Sequence, residues 1–146
     1  MRELRVPRNC SCGAVPGALH ESGCDKERCV LCGMQAICCD CIYELCGMDL
    51  AKLETEHPRV YGEGPTDTMW EVYEAEVARH GGRLAWEGEY PGCAACREFG
   101  LWCRMVPGKG WVECERDHPD ATEDLNRLHR GARWDKSRRA WVRRAS

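Results

Sequence analysis

Apolar positions recur with a helical period over only part of the chain. The clearest run is TDTMWEVYEAEVARHGG, residues 66–82, where Met69, Tyr73 and Val77 repeat every four residues with Trp70 beside them. Pro65 and Thr66 open this helix, Thr68 and Glu71 have capping-box spacing, and Gly81-Gly82 ends it. Trp70 and Tyr73 are expected in the core. A shorter helix is predicted within IYELCGMDLAKLETEH, residues 42–57. Asp49 is its cap, Cys46, Leu50 and Leu53 face inward, and Pro58 terminates it. The stretch YGEGPT reads as turns, and Leu84 to Pro91 as strand or extended loop.

Alternation with period two appears further on. In LWCRMVPGKGWVEC, Leu101–Val106 and Trp111–Cys114 flank Pro-Gly-Lys-Gly, the pattern of a β-hairpin. Asp120-Ala-Thr-Glu123 offers a helix start, and Leu125, Leu128, His129 and Ala132 follow on one face. The Trp-bearing runs of RWDKSRRAWVRR predict a terminal strand pair.

Residues 10–41 obey neither period, and there the composition changes the picture. The chain has thirteen cysteines in 146 residues, and six of them fall within GCDKERCVLCGMQAICCDC, residues 23–41. A chain this short buries a limited core, and staples offset the shortfall. Disulfides and metal compete for the thiols. The basic start MRELRVPRNCSC is not followed by the apolar run of about 7–15 residues that an export signal needs. No stretch reaches the roughly 18 apolar residues of a membrane span. The expected location is therefore the cytoplasm, where thiols stay reduced. The odd cysteine count also fits full pairing poorly. Metal is the better reading.

The spacings then sort into sets. Cys29-Val-Leu-Cys32-Gly33 lets two sulfurs face one ion, with Gly33 allowing the tight turn. Cys39-Asp-Cys41 supplies two more ligands, and Cys38 is an alternative to Cys39 that spacing leaves open. Cys10-Ser-Cys12-Gly13, His20 and Cys24 form a second set of three thiols and one imidazole. Two zinc ions use eight groups. The run Cys24-x4-Cys29-x2-Cys32 matches plant-type iron–sulfur spacing locally and keeps a cluster as the alternative cofactor. Cys93-Ala-Ala-Cys96 with Cys103 and Cys114 is a candidate third metal set, the competing reading being small buried apolar residues. The segment carrying Cys29, Cys32, Gly33, Cys39 and Cys41 resembles the zinc-ribbon and zinc-knuckle class of metal sites, which implies structural zinc without fixing a function.

The expected fold class is α+β. A small zinc-stapled, ribbon- or knuckle-like lobe spans residues 1–46. An α+β part with two or three helices and a β-hairpin spans residues 47–146 and ends in a basic segment.

Charge is unevenly spread. The formal net charge is −3, but residues 44–100 hold twelve acidic and five basic side chains, and residues 126–146 hold one acidic and eight basic. Thiolate sites without open positions look structural rather than catalytic. The deaminase signature fails, since Gly92 separates Pro91 from Cys93 and no His is followed two residues on by Glu. There is no P-loop, dinucleotide fingerprint or nucleophile elbow. His57, His80, His118 and His129 are scattered, as surface and capping histidines are.

The expected function is therefore non-enzymatic: an adaptor or binding module, or a phage-type inhibitor, whose acidic body docks on a basic protein partner. Zinc thiolates make that body more negative still. The alternative is nucleic-acid binding by the basic tail. Arg127, Arg130, Arg133, Lys136, Arg138, Arg139, Arg143 and Arg144 would then meet phosphates, with Trp134 and Trp141 as stacking surfaces. A third reading folds the tail back onto the protein's own acidic helices.

Overall fold

The computed structural model describes residues 7–144, so MRELRV, which entered the export-signal reading, lies outside it. The chain is α+β, with a cysteine-rich region of turns leading into short helices and two antiparallel sheets.

Residues 7–40 hold no helix or named strand. Two turns of similar design organise them. The Cys10 amide donates to the Ala14 carbonyl at 2.8 Å, while the Gly13 amide donates back to Cys10 at 2.9 Å. The Cys29 amide donates to Met34 and the Gly33 amide to Cys29, both at 2.7 Å. Gly33 sits at φ 76°, and a Cβ there would meet the Trp134 ring at 2.7 Å, so both conformation and space call for glycine.

The helices that follow are α1 (Cys41–Leu45), α2 (Leu53–Glu56), α3 (Pro58–Glu63) and α4 (Asp67–Arg79). Asp49 caps as expected, accepting from the Ala51 amide at 3.0 Å, but what it caps is a 3-10 turn, Leu50–Lys52, leading into one turn of α2. Leu53 is buried and Leu50 exposed. Pro58 ends α2 and also opens α3, because its fixed φ suits the first helical position and its missing N–H has no partner to lose there. Part of the expected turn region is thus helix. On α4 the cap is Thr66, whose hydroxyl accepts from the Met69 amide at 3.3 Å. Thr68 lies inside the first turn, so its box with Glu71 does not cap the helix. At the other end the Gly82 amide donates to Val77 and the Gly81 amide to Ala78, a Schellman ending.

Residues 84–91 form no regular element. They run alongside residues 8–18, with Trp86 exchanging backbone bonds with Gly17 and Ala18, and its indole donating to the Arg8 carbonyl at 2.5 Å. Next comes α5 (Cys93–Phe99), which was not expected. It is bounded by Gly92 at φ 93° and Gly100 at φ 70°.

The hairpin is present as β1 (Trp102–Val106) and β2 (Gly110–Glu113), paired from Cys103 opposite Glu113 to Val106 opposite Gly110. Thr122–Glu123 is not helical. It forms β3 on the free edge of β1, and the helix start moves to Asp124, which caps α6 (Leu125–Gly131). The terminal pair is present as β4 (Ala132–Asp135) and β5 (Ala140–Arg143).

Burial is spread over small clusters. Ile42, Leu53, Val60 and Met69 form one, with Tyr73 packed against it. Cys10, Ala14 and Trp86 form another. Cys96, Leu128 and Ala132 form a third, with Phe99, Leu125 and Trp141 at its edge. Helices this short are marginal by themselves in water, so tertiary contacts hold them. Long-range bonds cross from the cysteine-rich region to the rest: Trp134 indole to the Val30 carbonyl at 2.6 Å, Arg28 to the Tyr90 hydroxyl at 3.0 Å, and Arg83 to the Glu27 carboxylate.

Candidate metal centres

Among the described residues, two groups of Cys and His bring four ligand atoms within 4.8 Å of one another. The first is Cys10, Cys12, His20 and Cys24. The second is Cys29, Cys32, Cys39 and Cys41. These are the two sets that the spacings predict.

In the first group the Cys10 and Cys24 sulfurs are 3.7 Å apart, and the Cys12 sulfur lies 3.5 Å from His20 Nδ1. A tetrahedral zinc with bonds of about 2.3 Å to sulfur and 2.0–2.1 Å to nitrogen has edges of about 3.8 and 3.6 Å, so these separations suit one ion. Backbone amides of Glu21 and Ala14 donate toward Cys12 and lower its thiol to about 6, which favours the thiolate a metal requires. Trp86, 3% exposed, packs edge-on against the His20 ring at 5.5 Å, and Arg83 donates to the His20 carbonyl at 2.7 Å. Trp86 thus packs the imidazole, and Arg83 anchors the His20 backbone.

The second group is centred on Cys29, which is 1% exposed. Hydrogen bonds from Cys32, Cys39 and Cys41 hold its thiol far below the ordinary range, with the Tyr73 hydroxyl as a further donor. Cys39 is lowered as well, by hydrogen bonds from Cys32 and Cys41, while Cys32 and Cys41 are pushed up in return. Cys39 is the member of the Cys38–Cys39 pair that joins the group. Cys38 is exposed and donates to the Gln35 side chain at 3.3 Å.

Tyr73, on α4, donates to the Cys29 sulfur at 3.1 Å. Burial keeps this phenol protonated, and therefore a donor. Such outer partners orient ligands and temper their charge. Tyr73→Phe is expected to keep the fold and weaken metal binding at this group about 10-fold, read as competition with a chromogenic chelator.

The iron–sulfur run is divided by the fold: Cys24 belongs to the first group, Cys29 and Cys32 to the second. Cys93, Cys96, Cys103 and Cys114 are not gathered as these groups are. Cys93 and Cys96 lie buried on α5, one helical turn apart, and Cys103 is buried on β1 with its sulfur 3.9 Å from the Glu123 carbonyl. Burial pushes Cys96 up to about 12, so it packs as a neutral thiol beside Leu128 and Ala132. The Cys93-x2-Cys96 pair thus lies on a helix bounded by glycines.

The tail residues are also placed. Trp134 and Trp141 are half-buried and pack edge-to-face at 5.4 Å, with Trp134 held by Val30 and Trp141 against His129. Arg139 donates to the His80 and Gly82 carbonyls at 2.6 and 2.8 Å, satisfying the C-terminal end of α4. Arg133 and Arg138 lie 3.9 and 3.7 Å from Asp135, and Lys136 is exposed. Tyr73, Arg83, Trp86 and Trp134 support the centres across 44 to 104 residues of chain, and no local spacing signals them. Among the described residues no helix is long and apolar enough to cross a membrane.

Comparison with family models, curated proteins and solved structures finds no match to this chain.

Proposed function

We propose that both groups hold structural zinc and that the chain is a non-enzymatic binding module acting in a reducing compartment. The observation that carries this is the closed, thiolate-rich make-up of each group. Catalytic zinc keeps a position open and is held by three protein ligands, whereas four Cys/His ligands use up a tetrahedral ion. Zinc here would hold the turns of residues 10–41 as a platform for the helices, and the chemistry it supplies is cross-linking alone.

The binding surface in this reading is the outward face of α4. Asp67, Trp70, Glu71 and Glu74 share that face and are exposed, and none makes an ion pair among the described residues. Trp70 was expected in the core, yet it is 42% exposed and touches Tyr73 edge-on at 5.9 Å. An exposed indole among carboxylates suits a partner protein with a basic surface that carries apolar side chains.

The test has two parts. Native mass spectrometry is expected to find two zinc ions per chain; none, or a coloured iron-containing protein, overturns the metal assignment. Binding to an immobilised Lys- and Leu-containing amphipathic peptide is then compared for wild type, Glu71→Lys/Glu74→Lys and Trp70→Ala. Loss in both variants is expected. Loss in the charge variant alone would reduce the surface to non-specific attraction, and retention in both would remove α4 from the interface.

A further inference from the structure

A second charged surface, built from other elements, has the opposite sign. The β4–β5 register sets Ala132 opposite Arg143, which brings the end of β5 beside the last turn of α6. Arg127 and Arg130 on α6 thereby meet Arg143 and Arg144 in one open groove, floored by Phe99 and Leu101. The groove continues around α6 to Trp111 and His129, with Glu113, Arg127 and Arg130 lining both parts.

These cations are not equally engaged. Arg127 is matched by Glu113 at 3.3 Å and Asp124 at 3.9 Å. Arg143 lies over the Phe99 ring at 5.1 Å and donates weakly to the Glu98 carbonyl at 3.5 Å, which leaves most of its donors facing outward. Arg130 and Arg144 are exposed and make no ion pair or hydrogen bond among the described residues. Glu113 is the groove's exposed carboxylate, since Asp124 is buried against Arg127 and caps α6. Three guanidinium groups thus converge with little internal counter-charge.

Trp111 adds the second feature. It is 56% exposed, and its cross-strand partner Met105 is 51% exposed. The hairpin therefore presents an open indole where α6 presents cations. A cationic groove with a flat ring beside it is the arrangement on which successive bases stack while their phosphates are neutralised.

We infer that this groove binds single-stranded nucleic acid, with Arg130, Arg143 and Arg144 on successive phosphates and Trp111 stacked on a base. The inference goes beyond the protein-docking reading and does not rest on it. It also moves the stacking role from Trp134 and Trp141, whose rings are spent on packing, to Trp111.

The experiment is fluorescence anisotropy of labelled ten-nucleotide oligothymidylate against zinc-loaded full-length protein. Three neutralised phosphates at about 0.7 each give an expected log–log salt slope near −2. Arg130→Glu/Arg144→Glu is expected to weaken binding at least 10-fold with an unchanged melting temperature. Trp111→Ala is expected to weaken it about 5- to 150-fold and to remove most of the indole quenching, from the usual 1–3 kcal/mol of a base–aromatic stack. Lys136→Glu/Arg138→Glu, in the β4–β5 turn, is expected to bind as wild type. No binding at low salt, unchanged binding in the groove variants, or loss in the turn variant would overturn the proposal. Displacement by poly-glutamate as effective as by unlabelled oligothymidylate would overturn it in favour of an acidic polypeptide, and equal displacement by thymidine monophosphate in favour of a free nucleotide. The Glu71→Lys/Glu74→Lys protein separates the two surfaces, since it is expected to lose peptide and keep the strand.

Discussion

Cys29→Ala is expected to release one of two zinc ions and unfold the turns around it. Cys29 accepts from three neighbouring thiols, from Tyr73 and from the Leu31 amide at 3.4 Å, so its sulfur is the hub of the second group. Structural zinc contributes on the order of 10 kcal/mol per site in small domains. The loss should reach α1 and α4, because Cys41 opens α1 and Tyr73 sits on α4. Native mass spectrometry should show one ion remaining, held by Cys10, Cys12, His20 and Cys24. Hydrogen exchange should rise first in residues 28–45. Cys38→Ala is the matched control and should keep both ions. An unchanged ion count in Cys29→Ala would remove this cysteine from the ligands, and loss of an ion in Cys38→Ala would put Cys38 in place of Cys39.

Trp134→Ala carries the next largest effect. The ring lies over Gly33, its indole donates to the Val30 carbonyl at 2.6 Å, and its other edge meets Trp141 at 5.4 Å. Truncation removes a large contact and orphans a carbonyl of the fully buried Val30, at a cost of about 3 kcal/mol, the low end for a tryptophan because this one is half-buried. Gly33→Ala should also destabilise, through its positive φ and through the clash with the same ring. The double variant separates the two effects: with the ring gone, the glycine substitution should cost only about 1 kcal/mol for its backbone conformation. Urea unfolding of the four proteins gives the cycle. Simple additivity would show that Gly33 and Trp134 are not in contact.

The legible parts of the fold were those set by neighbours in the chain. Two sets of candidate ligands were readable, but for the choice between Cys38 and Cys39, because the knuckle geometry is local. Two residues between Cys29 and Cys32, with a glycine after, aim both sulfurs one way whatever lies beyond. The α4 stripe of Met69, Tyr73 and Val77, the hairpin around Pro107–Gly110 and the terminal strand pair were readable for the same reason.

The misread parts were those where distant contacts outweigh local preference. The spacing of Cys93-Ala-Ala-Cys96 leaves open a metal set or buried apolar cysteines, and the pair lies on helix α5, where Cys96 packs against Leu128 and Ala132. Thr122–Glu123 became a strand because β1 offered a free edge. The short helices α1 to α3 carry little propensity signal and depend on the cluster they enclose. Trp134 and Trp111 carry no distinguishing local signal, yet one is spent on Val30 and the other left open. By itself the sequence determined seven of the eight Cys and His groups that come together, since a chelating turn is closed by its own few residues. The tertiary structure alone decided whether Cys38 or Cys39 joins them, which aromatic rings remain available, and which arginines meet in one groove, because each of these depends on where chain segments far apart in sequence come together.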